Sequence, residues 1–427
     1  MGAFKQMTNN NTLFTPVLIA GGIILLISFA VRSSFGLFQI PIANDLGWLR
    51  ADFSLAIAIQ NLAWGVGQPI FAAIGEKFGD RLAIFLGAIL YAFGLLLSSY
   101  AITPGQHHLL EIMVGFGIAG TGFGVILAIV GRATPAKHRS LALGIATAAG
   151  SAGQVIGPPI AQALLNHWPW QSVFMFMALL VLLPILLLPL LKAPEHSQQV
   201  KTQLDESIIN TVNRALGDRP FLLIFVGFFS CGYQLAFLTA HFPAFITEVC
   251  SAIEPDSLLS SLNINSTSSL GAWAIALVGV TNIAGTILAG WLGNYYSRKY
   301  LLALIYTLRT FVAAIFILMP ITPSSVVIFS LVMGILWLAT VPLTSGLVAQ
   351  IYGLRYMGTL YGIVFFSHQL GSFIGVWLGG FMYDLYGNYT MVWWVGVGVG
   401  ALSAIVHLLV DERSIDERNI VVQKALV

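Results

Sequence analysis

Charge is scarce in this sequence. Asp, Glu, Lys and Arg make up 8% of its 427 residues, against about 25% in an ordinary soluble chain, which excludes a water-soluble globule. Cysteine is nearly absent: Cys231 and Cys250 are too few for a disulfide framework or a metal site. The formal net charge of +2 is small and the basic residues form no patch, so no nucleic-acid partner is expected. No nucleotide-binding loop, catalytic triad or metal cluster stands out, which argues against an enzyme, an ATP-driven pump or a bound cofactor.

What the chain has instead is apolar length. Hydrophobic residues make up 57% of it and its mean hydropathy is +0.87. Runs long enough to cross a bilayer fall near 14–43, 53–74, 82–102, 108–131, 140–165 and 170–191. After a polar stretch, six more fall near 220–247, 270–293, 300–320, 325–350, 358–383 and 390–410. The expectation is an all-α membrane protein with twelve transmembrane helices in two six-helix bundles. The boundaries are 1–191 for the first bundle, 192–219 for a linker, 220–410 for the second bundle and 411–427 for a tail. In the linker, Ile208, Ile209, Val212 and Leu216 stand at helical spacing, as for an amphipathic helix on the membrane surface. The first run lacks a clear cleavage site and reads as a retained span.

Lys and Arg orient the chain, because they are retained on the cytoplasmic side. With both termini inside, the inner segments hold every basic residue except Arg50, in an outer loop, and Arg32 and Arg309, within spans. The host membrane is expected to be a bacterial inner membrane and the protein a monomer.

The halves repeat each other. Gly75-Glu76-Lys77-Phe78-Gly79-Asp80-Arg81 and Gly293-Asn294-Tyr295-Tyr296-Ser297-Arg298-Lys299 are offset by 218 residues, counted from Arg81 to Lys299. The same offset relates Gly144, Gly153 and Gly157 to Gly362, Gly371 and Gly375, which makes the two bundles pseudo-symmetric copies.

The loop after the second span resembles the signature of the major facilitator superfamily, and the likeness covers the whole twelve-span length. Glu76, Lys77, Gly79 and Arg81 match that signature, while Ala72 and Asp80 depart from it. The acid and bases are expected to pair across neighbouring helix ends and so bias one closed state, or to serve only as topology anchors. Span 5, with Gly150, Gly153, Gly157, Pro158 and Pro159, is similar to the superfamily's antiporter signature, though Ala161 and Gln162 replace its final small pair. Close helix packing explains the same glycines.

A charge within a span is costly unless it faces protein or water. That places Arg32 on a central cavity, as the receptor for the anionic end of a small substrate. The surrounding sequence, together with 47–55 and 65–69, resembles monocarboxylate-transporter-like and other organic-anion members of the superfamily. There a basic residue at the position of Arg32 contacts substrate carboxylate. Those relatives also carry an acid and an arginine in span 8, where this chain has Asn282 and Thr286.

Other intramembrane polar groups have two readings each, functional site or helix–helix hydrogen bond. Tyr233, Gln234, Asn61, Asn282 and Trp337 are candidate substrate contacts, with Gln60, Gln154, Thr340 and Thr344 beside them. His368, near midplane with Gln369, Glu111, about one turn into span 4, and Arg309 are candidates for proton coupling or for structural roles. His241 belongs nearer an outer gate. The leading expectation is a secondary carrier of a small organic anion, a monocarboxylate, working by alternating access with proton symport or anion exchange. The alternatives are a proton-coupled drug or metabolite efflux antiporter and a membrane sensor that transports nothing.

Overall fold

The computed structural model describes residues 13–418 apart from 49, 166, 192–206, 263 and 416. The first part of the linker and most of the tail therefore lie outside the described residues, as does Lys5. Among the described residues the chain is helical and contains no strand.

Twelve segments are long and apolar enough to span a membrane. In the first half they are built from α1 (Pro16–Ser34), which continues through one tight turn into α2 (Gln39–Leu46), then α3 (Arg50–Phe78), α4 (Asp80–Ser98), α5 (Pro104–Thr121) with α6 (Phe123–Ala133), α7 (Arg139–Leu165), and α8 (Trp170–Leu180) with α9 (Pro184–Leu187). The expected amphipathic helix is α10 (Ile208–Leu216), capped by the Ser207 hydroxyl on the Asn210 N–H. The second half holds α11 (Arg219–Val249), a short outlying turn α12 (Leu258–Ser261), α13 (Thr267–Leu292), α14 (Arg298–Leu318), α15 (Pro323–Leu336) with α16 (Thr340–Tyr352), α17 (Met357–Tyr386) and α18 (Thr390–Leu408).

Local chemistry sets several starts. Threonine caps the first turn and proline supplies the first helical residue at Thr15-Pro16, Thr103-Pro104 and Thr322-Pro323, where proline's missing N–H costs nothing. The last two open α5 and α15, which occupy matching places in the two halves.

Two expected spans are interrupted. The span expected over 108–131 breaks at Gly122, whose backbone is extended. The span expected over 325–350 breaks between α15 and α16 at residues 337–339. Gly122 and Thr340, the first residue after the second break, are themselves 218 residues apart. Each break frees backbone groups that need other partners. Gln68 Nε2 donates to the Ala119 carbonyl at 3.2 Å, and Gly122 and Gly124 leave room for the Gln68 side chain. In the second half Arg309 Nε donates to Leu336 O at 3.0 Å, and its Nη2 donates to Leu336 O and Trp337 O. Asn282 Oδ1 accepts from the Leu338 N–H at 2.9 Å.

The repeated glycines are packing surfaces. A Cβ on Gly153 or Gly157 would strike the carbonyl oxygen of Leu26 or Ala30, so α7 lies backbone to backbone on α1. Gly371 and Gly375 set α17 against the carbonyls of Phe229 and Tyr233 on α11 in the same way. Gly144 lies on Thr286 and Gly290 of α13, and Gly362 on Gln68 and Pro69 of α3. These two contacts join the halves.

Candidate functional site at the seam between the halves

Arg32 lies in the last turn of α1, where the helix's carbonyl end favours a cation. Its Nη2 donates to Asn61 Oδ1 at 2.8 Å, and Asn61 is held in turn by donating to Ile57 O at 3.0 Å. The guanidinium carbon sits 4.7 Å from the ring centre of Trp64 and 6.0 Å from that of Phe29, a cation–π seat. The residue is half-buried. Among the described residues its Nε has no hydrogen-bond partner and no carboxylate pairs with it. A cation placed so is short of acceptors.

Aromatic contacts run from this seat across the seam. Phe29 packs on Trp64 at 5.7 Å and on Phe123 at 4.6 Å. Trp64 meets Phe365 of the second half at 4.8 Å. Phe365 stacks on His368 at 5.0 Å, and Phe228 lies 5.2 Å from the same imidazole. Neither ring nitrogen of His368 meets a nitrogen or oxygen partner among the described residues; the group within its reach is the Cys231 thiol. Next to it, the Gln369 amide is likewise without a partner, and α3 passes so close that a Cβ on Gly65 would come within 2.6 Å of Gln369 Cβ.

The seam thus gathers Arg32, Asn61, His368 and Gln369 with a wall of Phe29, Trp64, Phe123, Phe228 and Phe365. The aromatic residues were not singled out from sequence, because in an apolar span they look like any other core side chain.

Other predicted residues sit elsewhere. Tyr233 and Gln234 turn toward α18, where the hydroxyl donates to Val392 O at 3.1 Å and the amide to Gly396 O at 3.0 Å. Asn282 ties three helices: besides its bond to Leu338, its Nδ2 donates to Ser151 Oγ of α7 at 2.8 Å. Arg309 and Trp337 belong to the break between α15 and α16. Glu111 lies inside the first half, fully buried, 2.6 Å from Gln60 Nε2. His241 bonds Val376 O at 2.9 Å.

At the end of the bundle rich in basic residues, Glu76 bonds across the seam to backbone rather than to a base. Its carboxylate accepts from the Gly358 N–H at 2.6 Å, from the Thr359 N–H at 3.2 and 3.3 Å, and from the Thr359 hydroxyl. These donors open α17, where the helix dipole favours an anion. A pairing of acid and base across neighbouring helix ends is made by Asp80, at the start of α4, which accepts from Arg132 Nη2, at the end of α6, at 2.5 Å. Lys77 is exposed, with Nζ 5.1 Å from the Phe78 ring. Arg81 donates to Leu191 O and Pro189 O at 3.3 Å. Gly79 has φ of +108°, which favours glycine there. Pro158 falls within α7.

Twelve spans in two related halves, with a cation short of partners at their seam, are the architecture of a membrane transporter. The sequence profile of the Major Facilitator Superfamily matches residues 21–251 and 249–425, and the chain belongs to that family. It is 27% identical over 394 residues to the uncharacterized MFS-type transporter YcxA of Bacillus subtilis (strain 168), covering 88% of this chain and 90% of that one. It is 25% identical over 396 residues to monocarboxylate transporter 13 of Bos taurus, covering 89% and 86%. The fold resembles the E. coli fucose:proton symporter FucP with a TM-score of 0.68 at 18% identity, over 93% of this chain and 98% of that chain.

Proposed function

We propose that the protein carries a small organic anion, a monocarboxylate, across the membrane by alternating access, with Arg32 receiving the carboxylate. The observation that carries this reading is the Arg32 guanidinium itself. It sits at the seam on an aromatic seat, held by the neutral Asn61 and by no acid among the described residues. A carboxylate is the group that such a fork of donors accepts best. Asn61 keeps the fork oriented while the site is empty, and His368 and Gln369 face the substrate from the second half.

The similarity to a monocarboxylate transporter over most of both chains supports the substrate class. Arg309, fully buried within a span, is committed to the Leu336 and Trp337 carbonyls and adds no second free cation to the seat of Arg32, which favours a singly charged substrate. The basic end, carrying Glu76 and Arg132, is then the cytoplasmic side, with both termini inside.

Uptake of labelled acetate, pyruvate, L-lactate and benzoate into proteoliposomes tests the proposal. At least one anion is expected to enter, and Arg32→Ala to abolish its entry while the protein still inserts and folds. Transport of a lipophilic cation with no anion carried would overturn it.

A further inference from the structure

Gln60 and Asn61 are consecutive residues of α3, and they serve two different polar groups. Asn61 receives Arg32 at 2.8 Å. Gln60 Nε2 donates to Glu111 Oε2 at 2.6 Å. Glu111, on α5, has no exposed surface, and its Oε1 accepts no hydrogen bond among the described residues. One helical turn earlier, His107 Nε2 lies 3.7 Å from that oxygen.

Among the described residues no Lys or Arg pairs with this carboxylate. On α5 itself the neighbouring titratable groups are His107 and His108, and His108 Nε2 bonds the Asp52 carbonyl of α3 at 2.8 Å. From α4 comes Tyr91, whose hydroxyl donates to Ser28 O of α1 at 3.3 Å and which lies within electrostatic reach of both Glu111 and Arg32. Trp48 and Phe174 close over the His107 ring at 5.6 and 6.4 Å. A bare carboxylate so enclosed is costly, so the pair must hold a proton in at least one state of the cycle, on Glu111 or on His107.

We infer that Glu111 and His107 form the proton site of the carrier, coupled to the anion site at Arg32 through the adjacent side chains Gln60 and Asn61. This rests on the reading of Arg32 as the anion receptor. With that receptor empty, the positive Arg32 and a negative Glu111 stabilise each other across Tyr91. A carboxylate at Arg32 neutralises the cation and competes with Asn61 for it. Glu111 loses its distant counter-charge, and the pair takes one proton from bulk water. Anion and proton then raise each other's affinity, the reciprocal linkage that symport needs. The link is also mechanical. At Gly115, α5 runs so close to α3 that a Cβ would strike the Gln60 carbonyl oxygen, so a shift of the α3 backbone at Gln60 and Asn61 carries α5 with it.

Titration calorimetry on the full-length protein in detergent reads both events. Acetate, pyruvate, L-lactate and benzoate serve as probe anions, in buffers of different ionisation enthalpy. The wild type is expected to take up about one proton per anion bound. Glu111→Gln is expected to bind the anion with no proton uptake, and in proteoliposomes to exchange labelled for unlabelled anion without accumulating it down a pH gradient. Gln60→Met should bind the anion with reduced proton uptake. If Glu111→Gln does not fold, Glu111→Asp should take up a proton with an altered pH dependence. Anion binding without proton uptake by the wild type, undiminished uptake by Glu111→Gln, or a pH dependence in Glu111→Asp identical to wild type would each overturn the coupling while leaving the anion site standing. Failure of all four anions to bind the wild type would remove the anion reading and the coupling together.

Discussion

Glu76 and Asn294 occupy equivalent positions in the two halves, and each accepts a hydrogen bond from the start of a helix across the seam. Glu76 takes the Gly358 N–H at 2.6 Å, and Asn294 Oδ1 takes the Ser140 N–H at 3.2 Å. Gly358 and Ser140 are separated by the same 218 residues as the acceptors. One closure is made by a carboxyl group and the other by an amide.

Glu76→Ala removes the carboxyl closure and leaves the first N–H groups of α17 without their acceptor. The state closed at the basic end should lose about 1–3 kcal/mol, the usual cost of leaving a buried donor unsatisfied. Maleimide labelling of single cysteines placed near Gly358 should speed up accordingly. Unchanged labelling would show that Glu76 does not hold this end shut. Asn294→Ala should do the same more weakly.

Arg309→Met leaves the carbonyls of Leu336 and Trp337 without donors inside the second half. A loss of about 1–3 kcal/mol per stranded acceptor is expected, read as a lower melting temperature in detergent, with Arg309→Lys recovering part of it. A melting temperature equal to wild type would contradict the structural role.

Arg32→Lys keeps the charge but loses both the stack on Trp64 and the planar fork. Cation–π contacts of this kind are worth about 0.5–2 kcal/mol, so KM for a carried anion should rise about 2- to 30-fold while transport persists. Trp64→Leu should raise KM over the same range. A KM unchanged in both would remove the aromatic seat from the site.

Gly157→Ala forces a methyl group onto the Ala30 carbonyl of α1. Overpacking of this sort costs about 1–3 kcal/mol, and Gly375→Ala should show a matching effect against Tyr233 O in the other half. Thermal unfolding of the two variants checks this, and a melting temperature as high as wild type in either would argue against rigid packing there.

Asp218, at the start of α11, binds Arg418 at 2.8 and 2.7 Å and Tyr352 at 2.5 Å. Partial burial pushes its carboxyl up, but the bonds from Arg418 and Tyr352 and the charge of Arg418 outweigh it and hold the group below the usual carboxylate range. The stabilisation is therefore present above the unfolded pKa, about 3.9, and is lost only as pH falls through the lower folded value. Hydrogen exchange at 411–418, corrected for intrinsic rates, should be the same at pH 5 and pH 7.5, and faster in Asp218→Asn at both. Loss of protection in the wild type at pH 5 would contradict this.

The twelve spans and their repeat were legible because apolar length and a constant offset survive in one dimension. Arg32 and His368 stood out because a titratable group within a span needs a reason. The wall around them did not, since nothing in sequence distinguishes Trp64 or Phe365 from aromatic side chains that face their own bundle. Tyr233, Gln234 and Asn282 show the opposite difficulty: an amide or hydroxyl that bonds a neighbouring helix has the same composition as one that meets a ligand. Glu76 could be read as an acid at a gate, but its partner is backbone, and a backbone N–H leaves no mark in the sequence. The interruptions at Gly122 and at 337–339 were hidden within apolar runs long enough to pass as single helices.

Those interruptions bear on how the halves can deform. Bending an intact helical turn separates bonded N–H and C=O groups inside a medium that offers no replacement. At these two points carbonyl groups are already bonded by side chains, Ala119 by Gln68 and Leu336 and Trp337 by Arg309. Each half therefore contains a joint that can flex without stranding those acceptors, at matching places in the two copies. In each half the segment beyond the joint, α6 or α16, can turn against its partner segment without stranding those carbonyls.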